Sequence, residues 1–267
     1  MKSYPMRIAT WNVNGLRARI DYIVHWLKSR EPDVVGMQEL KVTDDEFPHE
    51  PFNDLGYTVI THGQKGWNGV AIASRLPIEA TDRGLPGEAD AGARLIRGRI
   101  AGTGGIGEVS FATAYCPNGK DIGHADFPVK LKWYDGLRDY LAGVDGGGPF
   151  LIGGDFNVVP EPVDCWRGAA ADGTIFCTVD ERGRYQALLD CGLVDLYRRV
   201  EPDKQAFSWW DYRGGAFHRG MGLRIDMLLG NEALAKRVKD VVIDRAYRYK
   251  KDGLTSSDHV PVYADLD

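Results

Sequence analysis

Apolar stretches of strand length recur along the whole chain and are separated by polar and turn-forming residues. They cover residues 6–11, 34–38, 57–62, 70–74, 95–100, 109–115, 150–154, 225–229, 241–247 and 260–266. Apolar residues at helical spacing are confined to residues 20–27, 131–141 and 188–189. So many strands exceed the capacity of one open twisted sheet, and the pattern therefore predicts two stacked β-sheets with helices on their outer faces.

Glycine-rich segments at residues 102–107 and 143–149 are predicted to be hairpin or connecting loops, because each is short and flanked by core-like sequence. No segment has the composition of a domain linker, so we expect a single domain spanning residues 1–267.

One weak internal repeat is present, in which an apolar strand runs into WNVN at residues 11–14 and another runs into DFNV at residues 155–158. Chance can produce such an echo, but a real one would indicate two similar halves that place their polar strand ends at one rim.

Several of the predicted strands end in a polar side chain that can bind a metal or a substrate. These residues are Asn12 and Asn14, Gln38 and Glu39, Tyr115 and Asn118, Asp155 and Asn157, Asp226, and Asp258 and His259. Any one of them alone is more often a turn residue, but few structural explanations cover so many strand ends at once. Because strand ends commonly hold functional groups, the set predicts one shared site.

The chemistry of this set favours a hard divalent cation. It offers carboxylate and amide oxygens, one histidine and no paired cysteines, so Mg²⁺ or Mn²⁺ is the expected metal. The sequence contains no Gly-x-Ser-x-Gly elbow, no cysteine–histidine signature and no Walker loop, which disfavours nucleophilic hydrolases and nucleotide-driven motors. The four cysteines, at positions 116, 165, 177 and 191, lack zinc-site spacing and are expected to be reduced and mostly buried.

The net charge of −5 argues weakly against a protein that holds nucleic acid by bulk electrostatics. Short basic groups at residues 17–19, 94–99, 130–132 and 245–251 could still follow a phosphate backbone, although most are expected to be solvated.

The first residues lack the apolar stretch of a signal peptide, and no apolar run is long enough to span a membrane. We therefore expect a soluble, cytoplasmic protein with no membrane partner.

Six sequence blocks stand in a recognisable order along the chain. They are TWNVNGLRA from Thr10, QELK from Gln38, YCPNG from Tyr115, GDFN from Gly154, GLRID from Gly222 and SDH from Ser257. In sequence and order these blocks resemble the motifs of the exonuclease III family, which belongs to the endonuclease/exonuclease/phosphatase superfamily. The resemblance spans residues 10–259 and implies an α/β fold, a four-layer sandwich of two mixed β-sheets flanked by helices.

The resemblance also implies the activity of a DNA repair phosphodiesterase. Such an enzyme uses Mg²⁺, for which Mn²⁺ can substitute, and cuts the backbone of double-stranded DNA 5′ to abasic sites. Some 3′–5′ exonuclease and 3′-end-cleaning activity is expected as well. We expect the protein to act as a monomer.

The metal and the attacking water are assigned by the same resemblance. Glu39 is expected to be the principal magnesium ligand, with Asn12 and Asp258 close to the ion. Asp155 is expected to polarise the attacking water, and Asn157 to hold that water or a phosphate oxygen. Phosphodiester cleavage needs an activated nucleophile and stabilised oxygens, and these residue types supply both.

The phosphate contacts are assigned to Tyr115, Asn118 and His259. Adjacent residues on a strand point to opposite faces, so Asp258 is poorly placed to orient its neighbour His259. A carboxylate from another strand is needed, and Asp226 meets that need. His259, paired with Asp226, is then expected to bind the phosphate and to stabilise the charge that develops in the transition state.

Substrate selection is assigned to Trp209, Leu223 and Ile225, which are expected to line an apolar pocket for a sugar that lacks its base. Such a sugar costs less to extrude from the duplex than a paired nucleotide. Lys41 and Asn14 complete the expected substrate contacts. Each has a simpler alternative, since Trp209 could be core, Lys41 could be solvated and Asn14 could be a turn residue.

The sequence departs from the family in three places. Leu40 replaces the usual threonine after the metal-binding glutamate, Cys116 replaces another apolar residue, and residues 160–182 are divergent. That segment leaves the balance between endonuclease and exonuclease activity open. Two other functions also remain as alternatives: a related hydrolase of RNA tails, phospholipids or inositol phosphates, and a DNA-binding module without catalysis.

Overall fold

The computed structural model describes residues 6–144 and 147–267, in which the strands form two mixed sheets. The first sheet has the order β11 (Val238–Ile243), β12 (Val262–Leu266), β1 (Met6–Asn12), β2 (Val34–Gln38), β4 (Val70–Ser74) and β3 (Thr58–His62). The second has the order β5 (Ile78–Arg83), β6 (Leu95–Ile100), β7 (Val109–Tyr115), β8 (Phe150–Asp155), β10 (Asp226–Asn231) and β9 (Leu193–Asp195).

The helices of the described residues are α1 (Ile20–Arg30), α2 (Glu50–Asn53), α3 (Asp126–Ala142), α4 (Val179–Leu189), α5 (Leu196–Val200) and α6 (Glu232–Ala235). The first four cover the outer faces of the two sheets, whereas α5 and α6 pack into the core between the sheets. The apolar face of α1, with Trp26 at its centre, packs on the first sheet, while α3 and α4 pack on the second. A capping box fixes the start of α4, in which Thr178 and Glu181 exchange hydrogen bonds.

The main core lies between the sheets and follows from the period of two along each strand. Ile8 of β1 faces the second sheet, whereas its neighbour Ala9 faces α1. In β8, Leu151 faces the first sheet and Ile152 faces α3. Both central strands are buried on both faces, which is why they read as continuous apolar runs. The expected four-layer sandwich of two mixed sheets flanked by helices is confirmed.

The two sheets share one plan. In each, the third and fourth strands are the parallel pair and the other neighbours are antiparallel. A long helix joins the parallel strands, α1 between β1 and β2, and α3 between β7 and β8. Two similar halves therefore exist, as the internal echo suggested.

The echo itself does not align equivalent strands. It matches the end of β1 with the end of β8, whereas the shared plan pairs β1 with β7 and β2 with β8. The two segments look alike because they form the same turn. Asn12 Oδ1 accepts from Asn14 N at 2.9 Å, and Asp155 Oδ1 accepts from Asn157 N at 2.9 Å. Asn14 and Asn157 both have positive φ values, 46° and 48°, as this turn requires.

The two sheets approach each other closely just below the polar rim. A Cβ on Gly36 of β2 would lie 2.7 Å from Thr113 of β7, so only glycine fits there. Gln38 bridges the sheets at the same level, because its Nε2 donates to Thr10 Oγ1 at 2.9 Å and to Thr113 Oγ1 at 2.6 Å. These contacts hold the ends of β1, β2 and β7 in a fixed relation, and the site is built on those ends.

Predictions about three strands were wrong or incomplete, since one strand was given the wrong bounds and the edge strands β5 and β9 were missed. Residues 241–247 were predicted as one strand, but β11 ends at Ile243 and residues 245–248 form a 3₁₀ turn. Asp244 causes the break, since its buried carboxylate accepts from Trp26 Nε1 and Arg30 Nε of α1 and draws the chain toward that helix. The edge strand β5 was missed because its sequence, IEATDR, carries charges on an alternately exposed face.

The loop predictions were right where the structure describes them. Residues 102–107 connect the antiparallel strands β6 and β7, and residues 143–149 connect α3 to β8, with residues 145 and 146 outside the described residues. All four cysteines are free and are buried or half-buried. Among the helices of the described residues, none is long and apolar enough to cross a bilayer.

Candidate active site

The polar strand ends meet at one rim of the sandwich. In the second sheet, Tyr115 and Asp226 lie in register with Asp155, so the ends of β7, β8 and β10 are level. In the first sheet, Asn12 is level with Gln38, and Glu39 follows directly. Residues from both sheets therefore face one another across the top of the core.

Asn12 joins the two sheets at this rim. Its Nδ2 donates to Glu39 Oε1 at 2.9 Å and to Asp155 Oδ2 at 2.9 Å. Ligand atoms of Glu39, Asp155 and His259 all lie within 4.8 Å of one another. Hard carboxylate oxygens at this spacing fit a divalent cation such as Mg²⁺ or Mn²⁺.

His259 and Asp226 form a buried pair, and the contact predicted from strand geometry is confirmed. His259 Nδ1 lies 2.9 Å from Asp226 Oδ2 and 3.1 Å from Oδ1. Ser208 Oγ donates to Asp226 Oδ2 at 2.6 Å and fixes the carboxylate. The other ring nitrogen, Nε2, lies 3.7 Å from Asp155 Oδ2.

The electrostatics of this pair keep His259 protonated. Burial opposes the imidazolium, but the charges of Asp226 and Asp155 raise the pKa of His259 to about 10. An imidazolium has no lone pair to offer a metal. Although His259 lies within the cluster of possible ligands, we therefore regard it as a cation and hydrogen-bond donor that faces the site.

The two carboxylates of the cluster differ in charge state. Burial is the main cause that raises the pKa of Asp155 to about 7, and Asp226 adds to the effect while His259 opposes it. For Glu39, burial is opposed by the hydrogen bond from Asn12 and by the charge of Lys41, and the net result lowers its pKa. Glu39 therefore stays ionised at neutral pH, whereas Asp155 can accept or release a proton near pH 7.

A chain of hydrogen bonds extends from Glu39 toward Asp258. Lys41 Nζ lies 3.0 Å from Glu39 Oε2 and donates to Asn14 Oδ1 at 2.6 Å. Asn14 Nδ2 donates to Asp258 Oδ1 at 2.8 Å, and Trp209 Nε1 donates to Asp258 Oδ2 at 3.0 Å. Both oxygens of Asp258 are thus engaged, and this carboxylate lies at the outer end of the chain of bonds, outside the cluster of three possible ligands.

The opposite side of the site carries Tyr115, Asn118 and Asn157. Asn118 Nδ2 donates to Asn157 Oδ1 at 3.2 Å, so the two amides lie side by side. Burial and the charges of Glu39 and Asp155 raise the pKa of Tyr115, which keeps its phenol protonated as a donor. Arg94, which the sequence analysis noted only as part of a basic group, lies over the Tyr115 ring at 4.8 Å and donates to the Tyr115 carbonyl at 3.1 Å.

An apolar cluster adjoins His259. Trp209 and Leu223 are its partly exposed members and pack with the buried Ile225. The Trp209 and His259 rings lie 6.4 Å apart, so the cluster borders the polar site directly. Phe176, from the divergent segment, packs against the same cluster. It has a φ of 70°, which sequence patterns could not have revealed.

Three comparisons with known proteins agree with this geometry. The model of the endonuclease/exonuclease/phosphatase family matches residues 9–259. Exodeoxyribonuclease III from Haemophilus influenzae is 37% identical over 271 residues, which cover 98% of this chain and 100% of the relative.

Solved structures with similar folds include an AP endonuclease and a 3′ phosphatase. An AP endonuclease from Archaeoglobus fulgidus has a TM-score of 0.91 and 37% identity, with 98% of this chain and 99% of that chain covered. A 3′ phosphatase from Neisseria, bound to a product DNA hairpin, has a TM-score of 0.91 and 36% identity, with 98% and 99% covered.

Proposed function

This chain belongs to the endonuclease/exonuclease/phosphatase family, and from that premise we propose that it is a DNA repair phosphodiesterase that cuts the backbone 5′ to abasic sites. We also propose 3′–5′ exonuclease and 3′-end-cleaning activity, because the similar structures include a 3′ phosphatase as well as an AP endonuclease. One observation carries the proposal: Glu39, Asp155 and protonated His259 converge within 4.8 Å at the joined rim of both sheets.

The metal we propose is Mg²⁺, with Mn²⁺ as a substitute. Glu39 is the principal ligand in this proposal because its pKa is lowered and it stays ionised. Asn12, which donates to Glu39, would lie beside the ion, and Asp258 would act from further out, through Asn14 and Lys41. When bound, the cation would stabilise negative charge on the reacting phosphate group.

The remaining residues divide the work on the water and the phosphate. Asp155 accepts a proton from the attacking water, for which a pKa near 7 is well suited. Asn157 orients that water or a phosphate oxygen, and Tyr115 and Asn118 donate to the scissile phosphate. His259, held by Asp226, supplies positive charge where the transition state gains negative charge.

Selectivity for abasic sites is proposed to come from the apolar cluster of Trp209, Leu223 and Ile225. Its partly exposed face borders His259, so a sugar in contact with it would place its phosphate at the polar site. A sugar without a base leaves nothing to clash with the walls and is easily extruded. Asn14 and Lys41 would contact the DNA beside the site.

All the proposed site residues come from one chain, which is compatible with action as a monomer on double-stranded DNA. A cytoplasmic location stays a prediction.

The test of function is cleavage of a duplex containing a single abasic analogue, compared with a duplex carrying a 3′-phosphate and an intact duplex with a recessed 3′ end.

Cleavage 5′ to the abasic site is expected with Mg²⁺, loss of cleavage is expected with EDTA, and recovery is expected when Mg²⁺ or Mn²⁺ is restored. Full activity in the chelated sample would refute the metal assignment. Activity only at 3′ ends would instead support end cleaning as the main function and would contradict the proposed abasic pocket.

A further inference from the structure

Lys130 is a fully buried charge that the proposed function does not use. It lies on α3 with its side chain 0% exposed, and its ammonium has a buried partner, Glu181, that is equally inaccessible. Burying two charges is costly, and a buried ion pair by itself is weak support for stability. The position of this pair therefore calls for another explanation.

The three acceptors of the Lys130 ammonium point to that explanation. Nζ donates to the Asn157 carbonyl at 2.6 Å, to the Asn118 carbonyl at 3.2 Å and to Glu181 Oε1. An ammonium has three hydrogens, so all of them are used. The two carbonyls belong to the two residues whose side-chain amides lie side by side in the site.

Other hydrogen bonds also hold these loops, since Asn157 N donates to Asp155 Oδ1 and Asn157 Nδ2 donates to the Cys116 carbonyl, each at 2.9 Å, but Lys130 is the group that binds the Asn118 and Asn157 carbonyls together. Gly119 follows Asn118 with a φ of 83°, and a Cβ there would lie 2.9 Å from Lys130 Cδ, so the loop runs directly over the lysine stem. One turn further along α3, the Tyr134 hydroxyl donates to the Phe156 carbonyl. Two residues of one helix face thus hold consecutive carbonyls of the turn after Asp155.

Glu181 extends the connection to the divergent segment. Its Oε1 also accepts from Phe176 N at 3.1 Å, and its Oε2 accepts from Thr178 N at 3.1 Å and Thr178 Oγ1 at 2.7 Å. The same ion pair therefore ties residues 176–178, whose Phe176 packs with the apolar cluster, to the turn that carries Asn157.

We propose that Lys130 is a positioning residue: it holds the backbone of Asn118 and Asn157 so that their amides face the reacting phosphate, and Glu181 holds the lysine. This inference rests on the proposed function of the site. Misplacement of a positioned group by about 1 Å costs on the order of 10²-fold in rate, so loss of Lys130 should act on the chemical step more than on binding.

The test is the single-turnover cleavage rate of Lys130→Met on the abasic duplex, with duplex affinity measured separately. A fall of roughly 10–100-fold in rate is expected, with affinity changed by less than about threefold. The matched control is Arg7→Met, which removes a largely buried ion pair with Asp265 at the far end of β1. Arg7→Met should lower the melting temperature but leave the rate unchanged.

A second variant guards against misfolding. Lys130→Met combined with Glu181→Gln leaves no unpaired buried charge, so it should fold and show the same loss of rate. A rate within threefold of wild type in either folded Lys130 variant would overturn the proposal. So would an equal loss of rate in Arg7→Met at a similar melting temperature.

Hydrogen–deuterium exchange separates this proposal from the proposed function. Exchange in residues 116–119 and 155–159 should be faster in Lys130→Met than in wild type and unchanged in Arg7→Met. If wild type does not cut the abasic duplex, the proposed function fails while the exchange result still decides the role of Lys130. Unchanged exchange would overturn it.

Discussion

Glu39 and Asp155 lie at the ends of corresponding strands in the two sheets, Glu39 directly after β2 and Asp155 as the last residue of β8, and Asn12 donates a hydrogen bond to each. Their surroundings nevertheless push their pKa values in opposite directions. Lys41 and Asn12 outweigh the effect of burial on Glu39 and lower its pKa. Asp155 is almost fully buried beside Asp226, and its pKa rises to about 7.

Under the proposed function, the two similar halves supply one acid for holding a cation and another for moving a proton. Pairs of carboxylates whose environments separate their pKa values are a known basis for a division of labour. Here the difference comes from the neighbours that each half provides, since the backbone plan of the two sheets is the same. Four predictions test this difference, in order of expected effect.

Asp155→Asn is expected to have the largest effect, because it removes the proton acceptor and keeps the shape. The kcat on an abasic duplex should fall by roughly 10²–10⁴-fold, the usual contribution of a positioned acid or base. DNA affinity should stay near the wild-type value. A loss of less than about tenfold would remove Asp155 from that role.

Removal of His259 should come next, with a loss of roughly 10²–10³-fold in kcat/KM, as for other groups that stabilise developing negative charge. Asp226→Asn should cost less, because the ring remains but is poorly oriented. Residues that act as a unit give non-additive losses, so the double variant should be within a few-fold of His259→Ala. Strictly additive losses in this cycle would show that the two residues work independently.

Glu39→Gln should act mainly through the cation. The Mg²⁺ concentration for half-maximal activity is expected to rise by about 10–100-fold, the range seen when groups that support metal binding are replaced. Saturating Mg²⁺ should restore much of the activity in Glu39→Gln and none of it in Asp155→Asn. An unchanged Mg²⁺ requirement would contradict the assignment of Glu39 as principal ligand.

The smallest expected effect is a pH dependence of stability in the presence of EDTA. Because the folded pKa of His259 is raised to about 10, its attraction to Asp226 stabilises the fold fully below about pH 6.5 and is lost as pH rises toward 10. Asp226→Asn should therefore lower the melting temperature by roughly 3–9 °C at pH 6, and by much less near pH 10. A difference that does not change with pH would contradict the charged pair.

The sequence predicted the polar rim well because strand ends are visible in a period-two pattern. The contact between His259 and Asp226 was also predicted, although Asp258 and His259 lie just before β12 and not on a strand as the prediction assumed. The bridging position of Asn12 and the engagement of both Asp258 oxygens depend on how the two sheets stack, which no local pattern contains.

Other features were hidden by their composition. Lys130 falls in a basic group that was expected to be solvated, yet it is completely buried, because its partner Glu181 is distant in sequence and arrives only through tertiary packing. Ser208 donates a hydrogen bond to Asp226, but nothing in the sequence indicates this contact apart from the position of Ser208 before Trp209. The assignments of individual residues to metal, water and phosphate stay predictions until the variants are measured.

The first sheet combines the earliest and the latest strands of the chain, since β12 lies directly beside β1. When the ribosome has passed Asp155, both Glu39 and Asp155 have been made. His259, whose imidazole faces these two carboxylates, is made later, and β12 follows His259. Any chain interrupted before His259 would carry Glu39 and Asp155 without the imidazolium of His259 and without β12, the strand between β1 and β11. Under the proposed function, cleavage competence is thus acquired only after His259 and β12 have been made, and translation products that stop before them should be unable to nick DNA.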